Sequence, residues 1–235
     1  MIRFDERLQA EYEKDDVILR LLESAERPGD TGFTSHRWLL ESLSKRMIFH
    51  YVYGDLLEQD SDVLRILDVG GAYTALSRRL AQRHAYTTLD IMAHDVHEDL
   101  SVATRALPEQ SWINSDWHDF EPEGKYDRVI ANDLFPNVDQ RLVLFPERYL
   151  PISWEVPRFS TYHDTALWDT AKRIDAEEIF HMLAWDGVQV RQVLEPYIER
   201  IQDPDLALFE TDTPSLFSNG RQTCLVTLEG GGNSL

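Results

Sequence analysis

The residues whose types and spacing could do chemistry begin at Asp68, which precedes a glycine pair, Gly70 and Gly71, in the run RILDVGGAYT. An apolar run closing on an acid and two glycines reads as a strand turning sharply into a helix, and in open parallel sheets ligands bind just beyond such turns. Glycine suits the place because the backbone there approaches a ligand closely and can take positive φ. The dinucleotide fingerprint Gly-x-Gly-x-x-Gly is incomplete, its three places holding Gly70, Ala72 and Ala75. A carboxylate at Asp68 would also repel a pyrophosphate, so the turn favours a cationic ligand. A second acid, Asp90, closes the run TTLD 22 residues after Asp68, close to the spacing of about 20 at which a carboxylate meets ribose hydroxyls in nucleotide-binding sheets. Accepting from two hydroxyls, it would contribute on the order of 1.5–3 kcal/mol per charge-assisted bond.

These groups need a frame to hold them. From 63 onward the hydrophobic period alternates between strand-like and helix-like: strands are predicted at 65–69, 86–90, 111–114 and 126–131, with an amphipathic helix at 74–83. Alternation at that pace predicts a parallel sheet with crossover helices. Further on, Asp175 with Glu178 reads as a capping box, IFHMLAW as the helix it opens, Gly187 as its stop, and VQVRQVL and TCLVTL as strands. Residues 4–59 carry helical spacing, interrupted by the loop chemistry of RPGDTGF. The chain therefore divides into a helical cap or lid (1–60), a sheet domain (61–229) and a flexible glycine-rich tail (230–235).

Composition narrows the partners. With 23 basic against 42 acidic residues and a net charge of −19, the chain lacks the Lys and Arg that neutralise a phosphate backbone, so nucleic acid is not expected as a partner. An anionic membrane surface is excluded on the same ground, and no run of about 18 apolar residues exists to span a bilayer. The acidic start MIRFDERLQAEYEKDD has no apolar block of the secretory kind, and the single cysteine, Cys224, forms no internal disulfide. A cytoplasmic, reduced protein is expected, its oligomeric state open.

The stretch Asp68-Val69-Gly70-Gly71-Ala72-Tyr73-Thr74 resembles motif I of the class I S-adenosylmethionine-dependent methyltransferases, an acid followed by glycines at alternate places. Ala72 and Thr74 stand where the second and third glycines fall. Asp90 matches the family's ribose-binding acid. INSDW resembles its third element, which implies that Asp116 accepts from the adenine amino group while Trp117 or Ile91 covers the ring. YDRVIANDLFPNVDQRL resembles the fourth strand and its following loop, where Asn132, Asp133, Leu134 and Phe135 would meet the methionine end of the cofactor and the acceptor. DAEEIFHMLAWDGVQVRQV resembles the late helix, its glycine stop and the sixth strand, so the likeness runs over about 63–228. It implies an α/β fold: a doubly wound, mostly parallel seven-stranded sheet with helices on both faces and an N-terminal helical cap. The implied cofactor, S-adenosylmethionine, would be held by Asp68, Gly70, Gly71, Ala72, Asp90, Ile91, Asp116, Trp117 and Asn132.

The implied reaction is an in-line displacement on the sulfonium methyl by a small-molecule acceptor, a metabolite or sugar hydroxyl or an amine. The protein's share is then proximity and alignment, plus a base where the acceptor must lose a proton. Asp133, His118 and His163 are the candidate bases. A metal-assisted variant would need an adjacent Asp-Asn pair in 151–165, which is absent, and His94 with His97 reads as a solvated helix face rather than a metal site. In GDTGFTSHRWL, the expected gating loop, Phe33, Ser35, His36 and Arg37 are candidates to approach the ligands, Arg37 as a partner for a carboxylate. Two other readings stay open: a nicotinamide-dinucleotide-dependent oxidoreductase on a related sheet, and a non-catalytic partner subunit.

Overall fold

The computed structural model describes every residue except 59–61, 92–94, 96, 106, 109–110, 136–138, 164, 173–178, 211–212 and 232–235. It also leaves undescribed the side chains at 97–98, 133, 157–161, 169, 171–172, 179–180 and 182. The chain opens with a two-residue strand β1 (Ile2–Arg3) and four helices: α1 (Glu6–Tyr12), α2 (Val17–Ala25), α3 (Thr34–Glu41) and α4 (Leu43–Leu57). Then come β2 (Arg65–Val69), α5 (Ala75–Arg83), β3 (Ala85–Asp90), α6 (His97–Thr104), β4 (Trp112–Asn114) and β5 (Tyr126–Phe135). The last part runs α7 (Leu144–Tyr149), β6 (Ser153–Tyr162), β7 (Leu167–Lys172), β8 (Ile179–Ala184), α8 (Gly187–Leu194) and β9 (Gln222–Glu229).

Seven strands form one sheet in the order β1-β9-β6-β5-β2-β3-β4. The five from β6 to β4 are parallel, while β9 runs antiparallel to β6 and β1 antiparallel to β9. Side chains alternate along each strand, so one sheet sorts its apolar residues into two clusters. Ile66, Tyr86, Ile130 and Leu225 pack with α2, α4 and α5, whereas Leu67, Val69, Val129, Ala131 and Val226 pack with α7 and α8. Helix α4 is buried along most of its length, Met47, Val52, Tyr53 and Leu56 being at most 2% exposed. Such extensive burial is a property of core helices.

Three expectations are corrected. The segment IFHMLA forms strand β8, paired antiparallel with β7 in a separate two-stranded sheet, and not a helix. VQVRQVL, expected as a strand, is helix α8: Asp186 accepts from Gln189 N at 2.9 Å and Gln189 Oε1 accepts from Asp186 N at 3.0 Å, a reciprocal cap that starts the helix at Gly187. Gly187 is therefore a beginning and not a stop, and the seventh strand is the N-terminal β1. Third, the strand expected at 126–131 continues to Phe135 through an irregularity after Ala131, which puts Asn132, Asp133 and Leu134 on the strand rather than in a loop. The capping pair Asp175 and Glu178 lies outside the described residues. In the expected tail, Gly230 and Gly231 are held to the body by hydrogen bonds to Trp154 O and Leu150 O, each 2.8 Å; the remainder lies outside the described residues.

Candidate functional site

The strand order reverses between β2 and β5: from β2 the sheet grows toward β3 and β4 on one side and toward β5 and β6 on the other. The space beyond the carboxyl ends of the strands at such a reversal is the usual ligand position in sheets of this kind. Gly70 and Gly71 leave β2 at this point. Gly70 has φ +73° and donates its N–H to Leu89 O at 2.8 Å, while Leu134 from β5 lies 3.6 Å from where its Cβ would be. Gly71 is needed for a different reason. A Cβ there would stand 2.5 Å from the Asp68 carboxylate, which packs directly beneath it. Ala72 follows with φ +52°, a left-handed conformation unusual for a residue with a Cβ, and its N–H donates to Asp90 Oδ2 at 3.1 Å. Thr74 and Ser77 then cap α5 reciprocally, at 2.9 and 2.8 Å.

Asp68 is 1% exposed. Its Oδ1 accepts from the Tyr53 hydroxyl at 3.1 Å and its Oδ2 from the Tyr86 hydroxyl at 2.5 Å. Burial pushes its carboxyl up to about 7; the two hydroxyls oppose that rise, and the charge on Asp90 adds to it. Asn132, one place beyond Ala131, the register partner of Val69, has its side-chain Oδ1 buried without a partner. Asp68, Gly70, Gly71, Ala72, Asp90 and Asn132 are thus brought together around one turn. Ile91, next after Asp90, is 54% exposed.

Asp116 and Trp117 belong to a second network, in the segments after β4 and β5. Arg141 donates to Asp116 at 2.8 Å and to Asp139 at 2.6 Å, and its guanidinium lies 4.9 Å from the Trp117 ring centre. Burial raises the Asp116 carboxyl, but Arg141 and the His118 N–H outweigh it and hold the group below the usual carboxylate range. Trp117 itself is core: 4% exposed, its indole N–H donating to Asp139 at 2.6 Å and its ring 5.6 Å from Phe135 and 5.5 Å from Phe145. His118 lies beside this network with its side chain 48% exposed. His163 follows β6, where its N–H donates to Trp185 O at 2.7 Å. Asp133 sits on β5 and its side chain lies outside what is described.

The expected gating segment lies against the start of α5. Phe33 packs on Tyr73 with ring centres 4.5 Å apart, and Thr34 N donates to Asp95 at 2.7 Å. His36 is fully buried and accepts from Ala75 N through Nδ1 at 3.2 Å; burial lowers its pKa. Ser35 and Arg37 remain partly exposed. His94 lies outside the described residues, and among the described residues no group of His, Cys, Asp and Glu could hold a metal ion. Sequence reasoning missed Tyr53, Tyr86, Asp139 and Arg141. For Tyr86 a signal existed, since it shares a strand face with Thr88 and Asp90 at period 2; Tyr53 meets Asp68, and the Asp139–Arg141 pair meets Trp117 and Asp116, only through contacts between distant parts of the chain, which left none.

No family model matches the chain, and no curated protein sequence matches it either. Several solved structures follow a similar path. The N-methyltransferase NodS of Bradyrhizobium japonicum WM9, in complex with S-adenosyl-L-homocysteine, is 12% identical, covering 92% of this chain and 100% of its own, with a TM-score of 0.49. Magnesium protoporphyrin IX methyltransferase of Synechocystis PCC 6803, with S-adenosylmethionine bound, is 15% identical over 79% of each chain, with a TM-score of 0.48. The 1,6-didemethyltoxoflavin-N1-methyltransferase of Burkholderia thailandensis is 11% identical over 94% of this chain and 81% of its own, with a TM-score of 0.44. These are likenesses of chain path; what the site can hold follows from its own atoms.

Proposed function

We propose that the chain is an S-adenosylmethionine-dependent methyltransferase acting on a small-molecule acceptor, a metabolite or sugar hydroxyl or an amine. One observation carries the reading: the Ala72 N–H, a turn donor that a diphosphate would use, is taken by the carboxylate of Asp90. The turn therefore offers acceptors. A diphosphate finds repulsion there, whereas a ligand bearing hydroxyls and an ammonium finds partners. The orphaned Oδ1 of Asn132 supports this, because a buried acceptor without a partner is costly until a donor reaches it.

In this reading Asp90 takes the ribose hydroxyls, Ile91 lies along the nucleobase, Asp116 accepts from its amino group, and Asn132 meets the amino-acid end. Gly70, Gly71 and Ala72 let the backbone come close, with Asp68 buried behind them as a support, and Arg37 is the partner for the ligand carboxylate. The cofactor supplies a methyl group on a sulfonium whose thioether leaves without protonation. The chain's own task is to align the acceptor with that methyl and, where the acceptor carries a proton, to remove it through Asp133, His118 or His163. Residues 1–60 serve as the cap that selects the acceptor. Among the described residues no helix is long and apolar enough to cross a membrane.

The test is a titration of S-adenosylhomocysteine against nicotinamide dinucleotides, read by calorimetry and thermal shift. At about 100 times its dissociation constant, a ligand adds roughly 2.7 kcal/mol of apparent stability. The homocysteine nucleoside should bind and Asp90→Ala should abolish most of its shift with the fold intact. Binding of a nicotinamide dinucleotide instead, or a shift undiminished in Asp90→Ala, overturns the reading.

A further inference from the structure

Two sides of the candidate site are joined by one guanidinium. Asp116 lies on the β4 side, two places beyond Asn114, the register partner of Asp90. Asp139 lies on the β5 side, where its N–H donates to the carbonyl of Leu134, the residue packed at Gly70, at 3.1 Å. Arg141 ties the two acids together. Its Nε and Nη2 donate to the two oxygens of Asp139 at 3.0 and 2.6 Å, and Nη2 also donates to Asp116 Oδ2 at 2.8 Å. Asp139 is itself fixed, its side chain 9% exposed and its Oδ2 accepting from the Trp117 indole at 2.6 Å. On Asp116 the other oxygen, Oδ1, accepts from His118 N at 2.8 Å. A carboxylate has about four acceptor positions, so these two bonds leave one on each oxygen of a side chain that is 34% exposed.

We infer that Arg141 is a positioning residue for nucleobase recognition: its planar fork fixes the Asp116 carboxylate relative to the glycine turn, so that a free acceptor position meets the exocyclic amino group of the base. The inference rests on the methyltransferase reading and on the place Asp116 has in it. Without the fork, the carboxylate would have to be ordered at the moment of binding, at the expense of affinity. Arg128 provides an internal comparison. It also bridges two acids, Asp55 at 2.9 Å and Glu155 at 2.8 Å, but from near the amino ends of β5 and β6, the opposite end of the sheet.

The experiment compares two probes by calorimetry: S-adenosylhomocysteine, and its analogue in which hydrogen replaces the amino group of the base. Wild-type protein should favour the first about tenfold or more, the worth of a hydrogen bond to a charged acceptor. Asp116→Ala should bring the ratio of the two affinities to within about twofold of unity. Arg141→Met, which keeps an apolar stem beside Trp117 and removes the fork, should lower the ratio about threefold or more and leave the affinity for the analogue within about twofold. Combining it with Asp116→Ala should lower the ratio no further than Asp116→Ala alone. Arg128→Met should cost stability and leave the ratio at its wild-type value. A ratio unmoved by Arg141→Met, or moved equally by Arg128→Met, overturns the assignment. Should Arg141→Met fail to fold, Arg141→Lys decides, because an ammonium lacks the fork that spans both carboxylates; an unchanged ratio there again overturns it. Wild-type protein that binds neither probe overturns the methyltransferase reading itself; wild-type protein that binds both, without preference or with a preference these changes do not move, overturns the role of Arg141 alone.

Discussion

The guanidinium of Arg78 clasps the carboxylate of Asp30 with two parallel hydrogen bonds of 2.8 and 2.9 Å, both side chains being only 4% exposed. Arg78 also donates to the Tyr73 hydroxyl at 2.7 Å and to Ala25 O at 2.6 Å, so it is anchored to the segment before α3 and to the residues that follow the glycine turn. Removing one member of such a pair leaves a buried charge without its counterion, at a cost of about 3–5 kcal/mol. Asp30→Ala should therefore lower unfolding stability in denaturant by that order. The double replacement Asp30→Leu with Arg78→Met should recover a large part of the loss, because no charge is left stranded.

A second expectation concerns pH. Asp68 is raised to about 7 from the ordinary value of 3.8, chiefly by burial. Between those two values the folded protein holds a proton that the unfolded chain has released. This contribution to stability is present in full below the unfolded value and is lost as pH rises through the folded one, at up to about 1.4 kcal/mol per pH unit. Thermal unfolding from pH 5 to pH 8 should show a falling midpoint, and Asp68→Asn, which copies the neutral form, should flatten that fall. A slope equal in the two proteins would show that Asp68 does not cause it.

A third expectation separates the two small residues of the turn. At Gly71 a methyl group would land on a carboxylate pinned by two tyrosines, so Gly71→Ala should cost about 1–3 kcal/mol and weaken ligand binding with it. At Ala72 the left-handed conformation costs roughly 1–2 kcal/mol that glycine would not incur. Against this, glycine loses about 0.5–1 kcal/mol more backbone entropy on folding. Ala72→Gly should thus stabilise by about 0.5 kcal/mol, a small rise in the thermal midpoint. A fall would show that the Asp90 bond to Ala72 N depends on the alanine.

Much of the frame was legible where chemistry and period agree locally. The run 65–69 forms its strand and turns at Gly70, the helix expected at 74–83 runs Ala75–Arg83, and Asp90 ends the next strand as predicted. The exchange of helix and strand at 179–194 has a physical reason. IFHMLA is apolar enough for either period, and VQVRQVL begins with a period-2 alternation that mimics a strand. The overlooked clue was Asp186 followed three places on by Gln189, a helix start written in the sequence. Trp117 looked like a cover for a flat ring, yet whether an indole serves the core or a ligand depends on Phe135, Phe145 and Asp139, which local sequence does not bring near it. Tyr53 was invisible for the same reason: nothing near it in the chain announces Asp68.

The outermost part of the sheet is completed by segments from opposite ends of the chain, Ile2 against Leu225 and Arg3 against Cys224. During synthesis Ile2 and Arg3 must wait for Cys224 and Leu225 before this pairing can form, and once β6 is made its flank stays bare until β9 emerges. From the emergence of β6 to that of β9 the nascent chain thus carries an open, sticky margin.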